Sequence, residues 1–339
     1  MIIEQGTPQA AESITGRTRL AIIGAVVVLA IAIGAVLGAV LVSGQGGGLS
    51  RAAAYVPGDA VLYAEMRLDL PGDQRANLRA ILDRFPAVNA DDVLTDALAE
   101  TLDGALADGG APFDYSSDIA PWFDGTMAIA MLDYPSTSDP MEMRLPGFVA
   151  LFGVRDASGA TQLADKVRSS LEADGAGFTS ADHGGVTVWS LTVDMTSATM
   201  PMAGMGFAYA VADDQLILGS GASPVESALD TASGNSGLAS ADEIGTLLSA
   251  LPADRIGVSV VNSAAMMAQM RAELEATQPE VAAALAPYLD SVPPISVGAV
   301  SLAADALVFD GVSDIPDGPM APANSTRDVA TLVPSTYQA

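Results

Sequence analysis

The amino-acid sequence predicts an α+β fold, with a largely antiparallel sheet, helices packed on one face and a single transmembrane helix before it. Three observations support this prediction. Apolar runs of strand length occur in pairs separated by short turns, which is typical of hairpins. Stretches with helical apolar periodicity lie between these pairs. A long segment near the N-terminus carries no charged side chain.

That segment, residues 20–42, is the predicted membrane span. As a helix it would be about 35 Å long, enough to cross a hydrocarbon core of about 30 Å. A cleavable signal peptide has a shorter apolar region, so we expect a retained anchor; the small residues at 52–54 leave cleavage as an alternative. Arg17 and Arg19 precede the span, which places the N-terminus in the cytoplasm. The predicted location is therefore the plasma membrane, with the bulk of the chain extracytoplasmic.

Small residues recur every four positions inside the span, at Ala30, Gly34 and Gly38. The Gly34–Gly38 spacing lets two membrane helices approach closely, which would give a homodimer through the transmembrane helix. Gly and Ala are frequent in this span, so chance explains the spacing equally well.

The chain divides into five predicted regions. These are a cytoplasmic tail (1–19), the span (20–42), a flexible Gly/Ser-rich tether (43–51), an extracytoplasmic α+β domain (52–322) and a terminal stretch (323–339). The last stretch, with "TRDVATLVPSTYQA", repeats the Arg and Val-Pro of "SRAAAYVPGDAVLYAEM" near the start of the domain. We interpret it as a linker and the truncated start of a second similar unit; a chance match is the alternative.

The first half of the domain contains three predicted strands, at 60–70, 124–134 and 148–156. The third is apolar throughout, which predicts that both of its faces are covered. Helices are predicted from Pro71 to Phe85, because Leu78 and Leu82 share one helical face, and over 90–106.

The second half alternates in the same way. Helices are predicted over 158–175, after Ser223, over 243–251, over 263–277 and over 279–289. Strands are predicted at 185–193, in a hairpin over 206–220 with its turn at Asp213–Asp214, at 255–262, and in a pair around Ala304–Asp305.

The composition excludes several function classes. The net charge of −27 makes nucleic acid and anionic lipid head groups poor partners. Genome composition or a saline habitat is a sufficient explanation of this acidity. The absence of Cys excludes disulfides and thiolate sites, and a single His makes a transition-metal site improbable. We expect no cofactor and no metal.

No residue pattern indicates a catalytic site. His183 next to Asp182 is consistent with a general base, but "DHGG" reads better as a turn. Lys166 and Ser170 share a helical face, where a solvated surface is the simpler interpretation. With 41 carboxylates, close pairs arise by chance and carry no weight. The sequence therefore predicts no catalytic residue.

Two apolar groups are candidates for a ligand or partner surface. Trp122 and Phe123 lie in "PWFDG" and would either dock a partner or anchor a buried turn. A Met-rich loop is the second group, because Met side chains form adaptable apolar surfaces. Packing of this loop over its own sheet is the alternative. Its members are Met195, Met200, Met202 and Met205.

Several stretches resemble one known family. "AAAYVPGDAVLYAEMRLDLPGDQRANLRAILDRFPAV", "DIAPWFDGTMAIAML" and "DDQLILGSGASPVESALD" are similar to membrane-anchored bacterial envelope proteins catalogued as domain of unknown function 3352. The resemblance runs from about Ala52 to the last residue. It implies a bacterial envelope location, and it implies no activity, ligand or catalytic residue. A second similar half in relatives of this family would explain the repeated Val-Pro element.

These observations favour a non-catalytic binding or scaffolding module of the cell envelope. Its partners would be the lipid bilayer, through residues 20–42, and an unknown envelope protein. The alternative is a carrier or sensor of an apolar, lipid-like ligand held between helices and sheet. A carboxylate-dependent hydrolase is the third reading.

Overall fold

The computed structural model describes residues 48–313 except 69, 71, 86–97, 109–110, 134–145, 174, 193–205, 235 and 291. These residues form one ten-stranded sheet in which all neighbouring strands are antiparallel, with helices packed against it. The predicted α+β class and antiparallel sheet are therefore confirmed.

The strands follow the order β10-β9-β8-β1-β2-β3-β7-β6-β5-β4 across the sheet. Strands β1, β2 and β3 form the centre, and the two edges are β10 and β4. The bounds are β1 Leu62–Arg67, β2 Phe123–Met131, β3 Phe148–Val154, β4 Gly177–His183, β5 Val186–Thr192, β6 Ala208–Val211, β7 Gln215–Gly219, β8 Gly257–Asn262, β9 Ile295–Ala303 and β10 Ala306–Ser313.

The helices occur singly or in pairs along the chain, after β1, β3, β7 and β8. The bounds are α1 Gln74–Leu82, α2 Leu98–Asp108, α3 Ala157–Ala173, α4 Ala222–Gly234, α5 Asp242–Ser249, α6 Ser263–Thr277 and α7 Pro279–Leu289. Arg51–Tyr55 and Leu238–Ser240 form short 3-10 helices, and Tyr115–Ile119 forms one turn of π-helix.

One side of the sheet, which we call the first face, is covered by the 3-10 helix Arg51–Tyr55 together with α4 and α5. Ala52 and Ala53 are fully buried there, against strand residues such as Leu151 and Ile217. The N-terminal end of the described chain is thus part of the main core.

The opposite side, the second face, is covered by α2, α3 and the π-helical turn over β2, β3, β6 and β7. Helix α1 packs separately on β9 of the same face, through Leu78 and Leu302. The prediction that helices pack on one face is therefore wrong. The central strands carry apolar side chains at successive positions, as in Val149, Ala150 and Leu151, so both sides of β3 contribute to a core.

The predicted tether extends less far than expected. Leu49 packs against the first-face core, and the Ser50 amide donates a hydrogen bond to Glu65 Oε2 at 2.8 Å. The 3-10 helix then begins at Arg51. These residues belong to the domain, which corrects the C-terminal bound of the predicted flexible tether at 43–51.

The predicted span, residues 20–42, lies outside the described residues. Over 48–313, with the gaps given above, no helix combines the length and the apolar character that a bilayer crossing requires. The membrane anchor therefore stays a prediction from the sequence.

Candidate functional site

The second face has an open apolar groove between its two groups of helices. The groove has a volume of about 170 Å³ and lies over β1, β2 and β8, with contributions from β3 and β9. Its walls and floor consist almost entirely of apolar atoms. The side chains that point into it belong to Ala64, Met66, Met127, Ile129, Phe152, Ser259 and Val300, and Gly257 lies on its floor.

Strand register explains the shape of this groove. One row of residues crosses the sheet, and each member stands directly opposite the next on the neighbouring strand. The row consists of Ile129, Ala64, Ser259, Gly298 and Gly311. After Ile129 this row carries only small side chains, so it forms a depression. The next row is bulkier at both ends and consists of Phe152, Met127, Met66, Gly257, Val300 and Phe309. The depression therefore runs from the centre of the sheet to the β10 edge.

Helix α1 is held on β9 at the side of the groove. The Gln74 side chain accepts a hydrogen bond from the Leu302 amide at 2.5 Å and donates one to the Leu302 carbonyl at 3.1 Å. Asn77 donates a second bond to the same carbonyl at 2.6 Å. Strand β8 pairs with β9 only as far as Val300 and does not reach Leu302. At Leu302 the Gln74 side-chain amide makes the hydrogen bonds that a neighbouring strand would make. This fixes α1 over Leu302, at the side of the groove.

The groove has little capacity for acid–base chemistry. Glu65 is in β1, but its side chain points to the first face, where Oε2 accepts the Ser50 amide and the Tyr63 hydroxyl. The side chains that enter the groove are apolar, except for Ser259. Across the described ranges, no three His, Cys, Asp or Glu side chains are grouped so as to hold a metal ion. The arrangement is suited to contact with apolar groups.

Glu65 belongs to a buried polar cluster on the first face. It is 5% exposed, Tyr63 is 1% exposed, and the Tyr63 hydroxyl donates to Glu65 Oε2 at 2.5 Å. Burial raises the pKa of Tyr63, and the Glu65 charge raises it further. Burial lowers the pKa of Arg255, while the Glu65 carboxylate acts in the opposite direction. This cluster fastens residues 49–55 into the core, which is a structural role.

Trp122 and Phe123 are placed in the interior. Each is 3% exposed, and the Trp122 indole donates to the Asp118 carbonyl at 2.6 Å. The two rings meet edge to face, with centroids 6.0 Å apart. They anchor the turn before β2 and offer no docking surface in this structure.

The other sequence candidates lie outside the described residues. These are the Met group, Met195, Met200, Met202 and Met205, and the span residues Ala30, Gly34 and Gly38. The repeated Val-Pro element at 323–339 also lies outside them. All three predictions stand on the sequence alone.

His183 and Lys166 each contact a single carboxylate. His183 Nε2 lies 2.7 Å from Asp230 Oδ1, which joins the β4–β5 turn to α4. Lys166 Nζ lies 2.7 Å from Asp118 Oδ2, whereas Asp165 and Glu172 on the same helix contact Arg168. These contacts act as surface links between neighbouring elements.

The His183 contact should be pH-dependent. The hydrogen bond with Asp230 raises the pKa of His183 above the ordinary value of about 6.5, although burial slightly opposes it. The link therefore stabilises the fold fully below about pH 6.5 and weakens as the pH rises through the raised pKa of the folded state. His183 is the only histidine, so a proton NMR titration of the imidazole follows one signal.

The variant Asp230→Asn should move that titration towards the ordinary pKa. Asp242→Asn, which changes an exposed carboxylate in the first turn of α5, is the matched control and should leave the titration in place. Equal titration curves for the unmodified chain and Asp230→Asn would mean that the two groups do not interact in solution.

Sequence reasoning missed the groove. Ala64, Ser259 and Gly298 lie in three predicted strands, but small residues at alternate positions give no periodic signal. Their common location depends on strand pairs that are distant along the chain, such as β1 with β8.

The comparisons with known proteins agree with the resemblance seen in the sequence. No curated protein and no solved structure matches this chain. One family model matches residues 21–336, which is most of the chain. The chain therefore belongs to the family described as "Protein of unknown function (DUF3352)".

Proposed function

We propose that this chain is a non-catalytic binding module of the cell envelope, anchored in the plasma membrane by residues 20–42, and that the second-face groove is its binding surface. The observation that carries the proposal is the row of small side chains over β1, β8 and β9, which leaves an apolar depression open beside bulky neighbours. Such depressions receive apolar side chains of a partner.

The size of the groove favours a protein partner. Sites for small molecules usually enclose about 300–1,000 Å³. The groove is open and about 170 Å³ in volume, which suits one or two apolar side chains of a protein. We therefore propose a protein partner that inserts such side chains between α1 and α3.

A carrier of an apolar ligand is the second candidate function. The support for it is that the groove lies between helices and sheet and has almost no polar lining. A short acyl segment would find a suitable surface there. A hydrolase has less support, because Glu65 is the one buried carboxylate in the described part of the chain.

Photo-crosslinking from inside the groove tests the proposal. A photoreactive residue is placed at Ser259 of the full chain, expressed in its host membrane. Ser180 on the exposed β4 strand is the matched control position. We expect a discrete protein adduct from position 259 and none of the same mass from position 180.

Filling the groove provides the specificity test. Ala64→Leu replaces a methyl group by an isobutyl group in the small-residue row, and the adduct should fall at least tenfold. Ala181→Leu makes the same change on β4, where the side chain is exposed, and should leave the adduct unchanged. An adduct of lipid mass would support the carrier instead. No adduct sensitive to Ala64→Leu would overturn the groove as a binding surface.

A further inference from the structure

The edge strand β10 is exposed along its length and is unusually apolar. Phe309 is 72% exposed and Leu307 38% exposed, both on the second face. In the part of the chain that the structure describes, β10 pairs with β9 and with no other strand. No described strand therefore pairs with its outer side, and an edge of this kind can pair with another strand.

Devices that normally protect an edge strand are scarce in β10. The strand has no Pro and no Lys, its register with β9 continues without a bulge over all eight residues, and Asp310 is its only charge. The opposite edge is different, because the exposed side chains of β4 include Thr179, Ser180 and Asp182. The two edges therefore differ in the polarity of their exposed side chains, and the apolar edge, β10, is the better candidate for pairing.

We propose that two copies of this chain pair through β10, antiparallel, about a two-fold axis at Phe309. This register places Phe309 directly opposite its symmetry mate, and Leu307 opposite Gly311 of the second copy. Gly311 has no side chain, so it leaves room for Leu307. Asp310 stands opposite Val308, which keeps the two Asp310 carboxylates out of direct opposition.

The same geometry is compatible with two anchors in one membrane. An axis perpendicular to the sheet keeps both first faces on one side. Leu49 and Ser50 are bound on the first face, so these two residues lie on the same side of the sheet in both copies. Both second-face grooves then lie on the opposite side, and each small-residue row, which ends at Gly311, meets Leu307 of the other copy.

The area of the contact implies that the membrane contributes to its stability. Two eight-residue strands meet over about 26 Å, and with a sheet about 10 Å thick the total buried area is on the order of 500 Å². Stable interfaces in solution bury about 1,200–2,000 Å². We therefore infer a pair that forms between anchored copies, at high local concentration. The inference that the pair forms between anchored copies rests on the proposed membrane anchor. The proposed strand register does not rest on it.

Disulfide trapping tests the register, because the chain has no cysteine of its own. Phe309→Cys is introduced into the full chain, and host membranes are oxidised mildly. Opposed residues of paired antiparallel strands have Cα atoms about 4.5–5.5 Å apart, within disulfide range. We expect most of the chain to migrate as a disulfide-linked dimer. Phe309 is largely exposed, so the substitution should leave the fold intact.

Three control variants distinguish cross-links formed in this register from cross-links formed by random collision. Leu307→Cys alone should not cross-link, since the two positions would be about 13 Å apart. Leu307→Cys combined with Gly311→Cys should cross-link. Ser180→Cys reports random contact at the β4 edge.

Each result has a definite meaning. Equal yields from positions 309 and 180 would overturn the pairing. A dimer from Leu307→Cys alone would overturn the register, and a mixed disulfide of position 309 with another protein would mean that a foreign strand occupies β10. Membrane fractionation of the same cells tests the anchor separately, and the Ser259 cross-link tests the groove.

Discussion

Glu65→Ala is expected to lower the free energy of unfolding by about 3–5 kcal/mol, as breaking a buried charged cluster usually does. Glu65 is 5% exposed and accepts hydrogen bonds from the Tyr63 hydroxyl and the Ser50 amide. An alanine provides no acceptor for either donor. Arg255, which is 2% exposed, also loses a favourable interaction with this carboxylate.

Urea unfolding of the full chain in detergent, followed by tryptophan fluorescence, measures this effect. Glu65→Gln is the matched control, because its amide oxygen can still accept a hydrogen bond while the charge is lost. We expect Glu65→Gln to cost less than Glu65→Ala. A loss below about 1 kcal/mol for Glu65→Ala would mean that water enters the cluster and that it contributes little to the fold.

Glu65→Ala should also affect the N-terminal segment of the domain, residues 49–55. Residues 49–55 reach the core through the Ser50 contact, and the fully buried Ala52 and Ala53 follow directly. Hydrogen exchange at these amides should accelerate in Glu65→Ala more than exchange in β10, which is remote from the cluster along the sheet. A uniform acceleration would indicate global destabilisation only.

The sheet could be predicted from the sequence where apolar strands are joined by short turns. The pair around Ala304–Asp305 and the hairpin with its turn at Asp213–Asp214 are both found as predicted. The missed strand is β4, whose side chains are mostly exposed and show no apolar alternation. The sequence nonetheless contained a signal for this hairpin, the adjacent glycines Gly184 and Gly185. Both have positive φ and form the two-residue loop between β4 and β5.

The sequence also contained a signal that both faces of the sheet would be covered. The run at 148–156 predicted a strand buried on both sides, and β3 is buried in this way. A strand buried on both sides contradicts the prediction that helices cover only one face of the sheet. The structure agrees with the buried strand, because helices cover both faces. By contrast, the groove depends on the long-range register of β1 with β8 and β9, which local patterns do not encode.

Trp122→Ala is the second substitution with a large expected effect, about 3–5 kcal/mol of unfolding free energy. Trp122 is 3% exposed, and its indole N–H donates to the Asp118 carbonyl. Helix α3 packs directly on it, since a methyl group on Gly159 would lie 2.8 Å from the Trp122 Cβ. The backbone on both sides is fixed, so the cavity cannot close fully.

Two controls separate burial from a surface role for Trp122. Trp122→Phe keeps an aromatic ring and loses the hydrogen bond, so it should cost less than Trp122→Ala. Phe85→Ala removes an exposed aromatic ring and should change the stability by less than about 0.5 kcal/mol. If Trp122→Ala left the stability unchanged and abolished a partner cross-link, Trp122 would be a docking residue. Because the indole is enclosed by α3 and the π-helical turn, we expect the loss of stability.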